Sequence, residues 1–391
     1  MSSLPRALAF LKASEDSGVI VPPGEVDACF RAWRTRILVG TTLGYGVFYT
    51  CRLGLSLVKK PLLDSGLMDA NDLGQIGSAF FYAYAAGKLL NGFLADQASI
   101  RRLMSFGLAA SAIVNLAMGS ISMVWLATAL WALNGLFQGT GAPASIVAIT
   151  RWFGPRERGT VYGIWSVAHA IGEGVTFAGT AWLVATTGWR SAFIGPGLLC
   201  LAASLVLLRV LADRPQAVGL PYVTDWRPEL RLVADEHHDT TPPTRAEQLA
   251  LFARPALWVL GIASASMYVT RYALNSWGVL YLQEHHGYSL VEAGGLVSLN
   301  TFAGVAGSAL YGWLSDRFFA SRRPPPTLVF GVIETIALVC IFAAPVGAWP
   351  GAPVPGSGRA VCMAVYLGRR GHGAVCVCAA RRPRRLSLPS G

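Results

Sequence analysis

Apolar segments of about 20 residues recur along the chain and are separated by short polar connections. This length matches the roughly 20 helical residues that cross a bilayer, whereas membrane barrels use strands of about ten residues with alternating polarity. The pattern therefore predicts membrane helices rather than strands. We expect nine of them, at about 33–58, 73–95, 103–120, 123–150, 159–185, 190–212, 254–282, 291–314 and 327–347.

The composition favours the same class of protein. Hydrophobic residues make up 53% of the chain, charged residues only 14%, and the mean hydropathy is +0.47. In soluble domains about a quarter of the residues are charged. The predicted fold class is therefore an all-α polytopic membrane protein in a lipid bilayer. Residues 1–32 lack a long apolar signal-peptide core and are expected to form a cytosolic N-terminal arm.

Basic residues are concentrated in every second short connection, for example at Arg34, Arg101, Arg151 and Arg317. This is the positive-inside distribution, and it predicts a cytosolic N-terminus. This distribution explains the net charge of +11, so no nucleic acid is expected as a partner. The seven cysteines lack the spacing of zinc or disulfide frameworks, and we find no nucleotide-binding P-loop, so no metal or other cofactor is expected.

One predicted helix face carries a permanent charge. Tyr45, Tyr49 and Arg52 are spaced i, i+4, i+7, which places two phenol rings and a guanidinium on one side of the first helix. A charge near the bilayer centre costs about 2.5–3.5 kcal/mol on insertion scales, so it normally faces a bundle interior or an aqueous path. The alternative is that Arg52 lies near a helix end and snorkels to the lipid headgroups.

An internal repeat favours the interior position. The motif Gly92-Phe-Leu-Ala-Asp96 returns as Gly312-Trp-Leu-Ser-Asp316 at an offset of 220 residues, and Arg52 returns as Arg271 at an offset of 219. Two halves of six helices each would enter the membrane from the same side, as in the major facilitator fold with parallel halves. Small residues, an aspartate and arginines between two helices are typical of a gate or hinge. The alternative is that the charged residues only set the topology of the chain in the membrane. The expected gating residues are Gly92, Asp96, Arg101, Gly312, Asp316 and Arg317.

The chain is expected to divide at its long polar connection. The predicted parts are an arm at 1–32, a six-helix half at 33–212, a cytosolic linker at 213–253, an incomplete second half at 254–347 and an aberrant basic tail at 348–391. A second half that repeats the first needs about three more helices after the ninth. From about residue 356 the tail contains no Asp, Glu, Asn, Gln or Lys, which we interpret as a frameshift in GC-rich DNA.

Several motifs, in the right order and at the right spacing, resemble those of the organophosphate:phosphate antiporter family of the major facilitator superfamily. They include GYGVFYTCR, GKLLNGFLADQ, RWFGPRERG, WSVAH and RYALNSWGVLYL. These motifs are most similar to those of the hexose-phosphate sensor and transporter branch. The resemblance implies that Arg52 and Arg271 grip the substrate phosphate from the two halves. It implies a substrate-binding set made of Arg52, Arg271, Lys88, His169, Tyr45, Tyr49, Tyr84, Trp165 and Tyr268.

Two positions depart from the family pattern. Ser166 stands where the family usually has asparagine, and Glu173 introduces a carboxylate into the fifth predicted helix. We expect Glu173 to be a charge partner of Lys88 or His169 in the absence of phosphate. The alternative is a protonated Glu173 that is rotated away from the cavity.

The resemblance implies a transporter and not an enzyme. It would exchange a phosphorylated sugar or glycerol phosphate for inorganic phosphate by alternating access, in a bacterial inner membrane. Two alternatives stay open. One is a transporter-like receptor that senses hexose 6-phosphate and signals to a membrane histidine kinase, and the other is a non-functional truncated copy.

Overall fold

The computed structural model describes residues 10–18, 20–227, 229 and 250–318, together with single positions between 329 and 336. We label the helices in this part of the chain in order. They are α1 Val26–Phe48, α2 Thr50–Asp64, α3 Ala70–Gln97, α4 Ile100–Met118, α5 Val124–Gln138, α6 Gly141–Trp152, α7 Arg158–Ser166, α8 Ala168–Thr187, α9 Ser191–Val210, α10 Val223–Trp226, α11 Pro255–His286 and α12 Leu290–Phe318. No β-strand occurs in the described ranges, so the predicted all-α class is confirmed there.

The chain separates into two compact units. The first comprises Met1–Thr244 together with Tyr288–Ser298, and the second comprises Arg245–Gly287 together with Leu299–Gly391. The first unit therefore contains α1 to α10 and the start of α12. Within it, α3 packs mainly against α5, and α4 packs mainly against α9.

Three of the predicted membrane helices are interrupted near their middles. The interruptions lie at Tyr49 between α1 and α2, at Gly139 and Thr140 between α5 and α6, and at Val167 between α7 and α8. The flanking residues keep right-handed helical angles, but short backbone hydrogen bonds of the i to i+3 type appear, as from the Arg52 N–H to the Tyr49 carbonyl at 3.1 Å. Such 3₁₀ steps inside a helix often mark hinges or functional positions.

The interruptions account for only some of the helices that do not qualify as membrane spans by length and hydropathy, since α1, α3 and α8 have 20 residues or more and also do not qualify. In the described residues three segments are long and apolar enough, namely Ile100–Met118, Ser191–Val210 and Leu290–Gly307. The halves of the interrupted helices include pieces too short to qualify, since α2 and α5 have 15 residues each and α6 has 12. The prediction of nine unbroken helices was therefore wrong in its boundaries.

Other boundaries also differ from those predicted. α1 begins at Val26, so the arm expected at 1–32 includes the first turns of this helix. α3 continues to Gln97, so Gly92 and Asp96 lie in its last turns and not in a loop. The reason is that α4 is capped by another residue, Ser99, whose Oγ accepts a hydrogen bond from the Arg102 N–H at 3.2 Å.

Part of the predicted linker is folded against the first unit. Trp226 stacks on Phe30 at a centroid distance of 4.2 Å and donates a hydrogen bond from Nε1 to Asp27 Oδ1. The start of the 213–253 linker is therefore attached to α1. The predicted ninth helix, apart from single positions, and the predicted tail lie outside the described residues.

Candidate functional site

The site begins with Arg52, in the first turn of α2, three residues after the interruption at Tyr49. Only 7% of the residue is exposed, and Nη1 donates a hydrogen bond to the Tyr84 hydroxyl at 3.0 Å. The guanidinium carbon lies 4.0 Å from the centroid of the Tyr84 ring, 5.3 Å from that of Tyr49 and 5.6 Å from that of Phe80. Arg52 therefore lies inside the first unit and does not snorkel.

Tyr49, Phe80 and Tyr84 form what we call the aromatic cage. The faces of these rings attract a cation through their quadrupoles, and the effect grows when the cation is desolvated. The cage is itself rigid, because Phe80 and Tyr84 stack at 5.8 Å with an interplanar angle of 15°. The rings and the phenol are neutral, so they hold the guanidinium in place without cancelling its charge.

A second cation lies on the same helix as Tyr84. Lys88 follows Tyr84 by one turn of α3, and its Nζ lies 4.8 Å from the centroid of the Tyr84 ring. Tyr84 is thus approached by a fixed guanidinium and by a flexible ammonium. The i, i+4 spacing of Tyr84 and Lys88 in the sequence places both residues on one helix face, in agreement with this contact.

A second group of predicted residues extends the cage toward α7 and α8. Tyr45 stacks on Trp165 at 4.8 Å and meets Tyr49 edge-on at 5.6 Å, while Tyr49 lies 6.1 Å from the His169 ring. Residues from α1, α7 and α8 therefore form one continuous aromatic wall that ends at the cage. The structure brings together all of the residues predicted for the first half.

One buried donor in this wall has no acceptor. The indole Nε1 of Trp165 is inaccessible and makes no hydrogen bond to the described residues. The residue is 4% exposed, and its ring is fixed by Tyr45 on one side and by Tyr162 at 5.3 Å on the other. A buried donor without an acceptor costs about 1–3 kcal/mol. An oxygen of a bound molecule could satisfy this N–H only if the neighbouring side chains move.

The two departures from the family pattern occupy different environments. Glu173 is fully buried in α8. Ser166 is half-buried at the end of α7 and donates its hydroxyl to the Gly163 carbonyl at 2.7 Å, so it caps its own helix. The pairing of Glu173 with Lys88 or His169 stays a prediction.

The end of α3 carries the residues expected to form a gate. Arg151 donates hydrogen bonds from Nη2 to the Asp96 carbonyl at 2.8 Å and from Nη1 to the Ala98 carbonyl at 3.4 Å. A cation at a helix C-terminus is favourable because the last carbonyls carry partial negative charge. Arg101 lies in the first turn of α4. In the other repeat, Gly312 and Asp316 lie in α12 with side chains outside the described set, and Arg317 is exposed.

An acid that the sequence did not single out organises this end of the first unit. Asp213 is 1% exposed and accepts hydrogen bonds from the Ser14 N–H at 2.9 Å, the Ser99 hydroxyl at 2.8 Å and the Arg101 N–H at 3.1 Å. Burial alone raises the pKa of this carboxyl, but the three hydrogen bonds together outweigh burial and hold its pKa below the usual range.

The second unit contains the remaining predicted residues. Arg271 is half-buried on α11, and Tyr268 stacks on Tyr272 at 5.5 Å with an interplanar angle of 21°. Tyr268 is 42% exposed within its unit.

Some residues of the site were missed from the sequence. Phe80 precedes Tyr84 by four residues, so the i, i+4 spacing to Tyr84, which the resemblance implied, could have identified it. Asn115 and Asn134 are fully buried next to the start of α2. Polar residues inside apolar segments were the available signal for this pair.

The helices of the described residues, with interrupted membrane segments and a buried cation in an aromatic cage, favour a polytopic membrane protein. Comparisons with known proteins agree. The Major Facilitator Superfamily profile matches residues 41–379. The chain belongs to this superfamily and, by its relatives, to the organophosphate:phosphate antiporter branch.

Two curated relatives and one solved structure illustrate the similarity. The chain is 36% identical to the membrane sensor protein UhpC of Salmonella typhimurium, over 83% of this chain and 73% of the relative. It is 34% identical to a probable hexose phosphate transport protein of Chlamydia trachomatis, again over 83% and 73%. A bacterial homolog of the human lysosomal transporter Spinster, crystallised inward-facing and unoccupied, superposes with a TM-score of 0.67 over 89% of this chain and 75% of the other, at 16% identity.

The superfamily match bears on the predicted tail. It continues to residue 379, beyond the position where a frameshift was expected. Truncation of the second half is therefore not confirmed.

Proposed function

We propose that this protein binds the phosphate group of a phosphorylated sugar or of glycerol phosphate and exchanges that molecule for inorganic phosphate across a bacterial inner membrane. The observation that carries the proposal is the buried guanidinium of Arg52, held by Tyr84 and the aromatic cage. A phosphate monoester is a tetrahedral anion with several acceptor oxygens. Arginine presents a planar fork of donors that matches two of those oxygens at once.

The surrounding residues suit the rest of such a substrate. Lys88 adds a second cation on a flexible stem for a dianionic phosphate. The wall of Tyr45, Tyr49 and Trp165 offers ring faces for the apolar side of a sugar and the indole N–H for a hydroxyl oxygen. His169, at the end of this wall, would supply an imidazole nitrogen for a hydrogen bond to a substrate oxygen.

The sequence repeat extends the proposal to the second half. Arg271 and Tyr268 occupy the repeat positions there, so we propose that Arg271 supplies a second phosphate-binding guanidinium. Substrate binding would then drive alternating access, provided that the substrate binds the occluded state more tightly than the open states.

A second candidate function is favoured by one comparison. The relative in Salmonella typhimurium is a membrane sensor protein. A sensor would use the same phosphate site to recognise hexose 6-phosphate, with a membrane histidine kinase as its partner, and it would not need to release the ligand on the other side.

Exchange in proteoliposomes separates the two functions. Vesicles that contain the purified full chain are loaded with radiolabelled inorganic phosphate and diluted into glucose 6-phosphate, glycerol 3-phosphate or glucose. Loss of label with a phosphate ester but not with glucose supports the antiporter. Binding of glucose 6-phosphate without exchange supports the sensor, and neither binding nor exchange would contradict both.

A further inference from the structure

The backbone just before Arg52 is held by two asparagines from neighbouring helices. The carbonyl oxygen of Cys51 accepts hydrogen bonds from Asn115 Nδ2 at 3.0 Å and from Asn134 Nδ2 at 2.9 Å. Asn115 lies in α4 and Asn134 lies in α5, and both residues are fully buried. Three helices therefore meet at the peptide group that precedes the phosphate-binding arginine.

A network of further polar groups fixes the orientation of both amides. The Ser111 hydroxyl donates to Asn134 Oδ1 at 2.5 Å and accepts from Gln138 Nε2 at 2.7 Å, and Asn115 Nδ2 also donates to the Ser111 carbonyl at 2.9 Å. With its amide oxygen occupied by a hydroxyl, Asn134 must direct its N–H groups toward Cys51. Such bonds are strong in a low-dielectric interior, although Asn115 Oδ1 has no hydrogen-bond partner among the described residues.

The same turn of α5 also positions the partner of Arg52. Gly135 follows Asn134, and a Cβ there would overlap the Phe80 carbonyl oxygen and lie 3.1 Å from the Tyr84 nitrogen. The absence of a side chain at Gly135 thus lets α3 approach α5 closely at the position of Tyr84. One turn of α5 holds the backbone of Arg52 through Asn134 and the backbone of Tyr84 through Gly135.

We infer that Asn115 and Asn134 are positioning residues for phosphate recognition: they clamp the Cys51 carbonyl and thereby fix Arg52 against Tyr84. This inference rests on the proposed function, because the anion that Arg52 receives is the phosphate of the substrate. The helix is interrupted at Tyr49, where the Arg52 N–H bonds to the Tyr49 carbonyl in the i to i+3 pattern. The two amides anchor the first turn of α2 directly after this interruption.

A double-mutant cycle tests whether the asparagines act through Arg52. Binding of inorganic phosphate to the purified full chain is measured by calorimetry for the unaltered protein, Asn134→Leu, Arg52→Lys and the double variant. We expect Asn134→Leu to weaken binding about tenfold alone but less than twofold when Arg52 is already lysine, since coupled residues give non-additive effects. Equal losses in both backgrounds would mean a general structural role and would overturn the inference.

Asn91→Leu serves as the matched control, and Asn115→Leu serves as a second clamp variant. Asn91 also ties α3 to α5, with Nδ2 donating to the Leu136 carbonyl at 3.3 Å, so Asn91→Leu should change phosphate affinity less than twofold. If Asn134→Leu does not fold, the cycle is run with Asn115→Leu, which leaves the other donor in place. An equal loss of affinity in Asn91→Leu would overturn the inference.

A measurement that needs no substrate separates the inference about the asparagine clamp from the proposed function. Hydrogen exchange of the backbone from residue 49 to residue 56 should be faster in either clamp variant and unchanged in Asn91→Leu. Phosphate binding with unchanged exchange in the clamp variants would overturn the inference while the proposed function stands. No phosphate binding by the unaltered protein would overturn the proposed function, and with it the inference.

Discussion

In the proposed site, the cationic side chains would bind the charged part of a substrate and the aromatic side chains its uncharged part. Arg52 and Lys88 are both cations next to the Tyr84 ring, whereas Trp165 has a buried N–H on a ring that is stacked on Tyr45. A change at a cation should therefore affect every phosphorylated ligand. A change at Trp165 should affect only ligands that carry a hydroxyl-bearing group beyond the phosphate.

Trp165→Phe removes the N–H and keeps an aromatic ring against Tyr45. We expect the affinity for glucose 6-phosphate to fall about twofold to tenfold, the range for one neutral hydrogen bond, while the affinity for inorganic phosphate stays the same. Calorimetric titration with both ligands measures the difference. Trp125→Phe is the control, because Trp125 is 68% exposed on α5. An equal loss for the two ligands would contradict the role given to the indole.

At the scale of elements, the middle of each interrupted helix determines how closely its neighbours approach. A Cβ at Gly172, in α8, would overlap the Gly46 carbonyl oxygen in α1, and a Cβ at Gly46 would lie 3.3 Å from the Ala168 carbonyl. The backbones of α1 and α8 are thus in direct contact. This contact lies beside Tyr49 and His169 and so sets the distance between the two sides of the aromatic wall.

Gly172→Ala should destabilise the protein because backbone atoms cannot move aside as a flexible side chain does. Overpacking of this kind costs about 1–3 kcal/mol. Gly179→Ala lies in the same helix with open space around the new methyl group, so it should be neutral or slightly stabilising. Thermal unfolding of the two variants in detergent tests this. Similar shifts in the unfolding temperature would show that the contact between α1 and α8 does not matter for stability.

The sequence predicts which residues lie on one face of a single helix. It predicts little about which residues of different helices come into contact. The i, i+4 spacing placed Tyr45 and Tyr49, and Tyr84 and Lys88, on common faces, and the structure brings them together. The clamp on Cys51 needs residues from α2, α4 and α5, whose relative positions no spacing encodes. The helix interruptions were also missed, since Tyr49 and Val167 keep right-handed angles and are ordinary helix residues in composition.

At the scale of the whole first unit, one buried carboxylate joins segments that are distant in the chain. Asp213 lies just beyond α9 and binds Ser14 of the arm, while Ser99 and Arg101 connect it to the start of α4. The sequence predicted a cytosolic linker from residue 213 onward. It did not indicate that Asp213 is buried, because the three donors are more than 100 residues away and only the fold gathers them around the carboxylate.

Asp213→Asn should lower the unfolding temperature at neutral pH, because hydrogen bonds to a charged group contribute about 1.5–3 kcal/mol each and the amide keeps only one acceptor oxygen. The folded pKa of Asp213 lies below its unfolded value, so the stabilisation is present above about pH 4 and is lost as the pH falls further. The unfolding temperatures of the unaltered protein and the variant should therefore converge as the pH falls below about 4. A constant difference across this range would contradict the account.

Asp64→Asn is the matched control for that series. Asp64 forms an exposed pair with Lys60 at 3.3 Å, and such i, i+4 pairs contribute about 0.3–0.5 kcal/mol. Its unfolding temperature should stay near that of the unaltered protein at neutral pH. A loss as large as that of Asp213→Asn would mean that any removed carboxylate has this effect.

The central claim is that the guanidinium of Arg52 receives the phosphate group of the substrate. Calorimetric binding of glucose 6-phosphate by the unaltered protein, Arg52→Lys and the exposed control Arg190→Lys tests it most directly. We predict binding of glucose 6-phosphate but not of glucose, a loss of about tenfold to a hundredfold in Arg52→Lys, where the bidentate fork is replaced by a point charge, and no change in Arg190→Lys. Equal binding of glucose, or an Arg52→Lys affinity within twofold of the unaltered protein, would contradict the account.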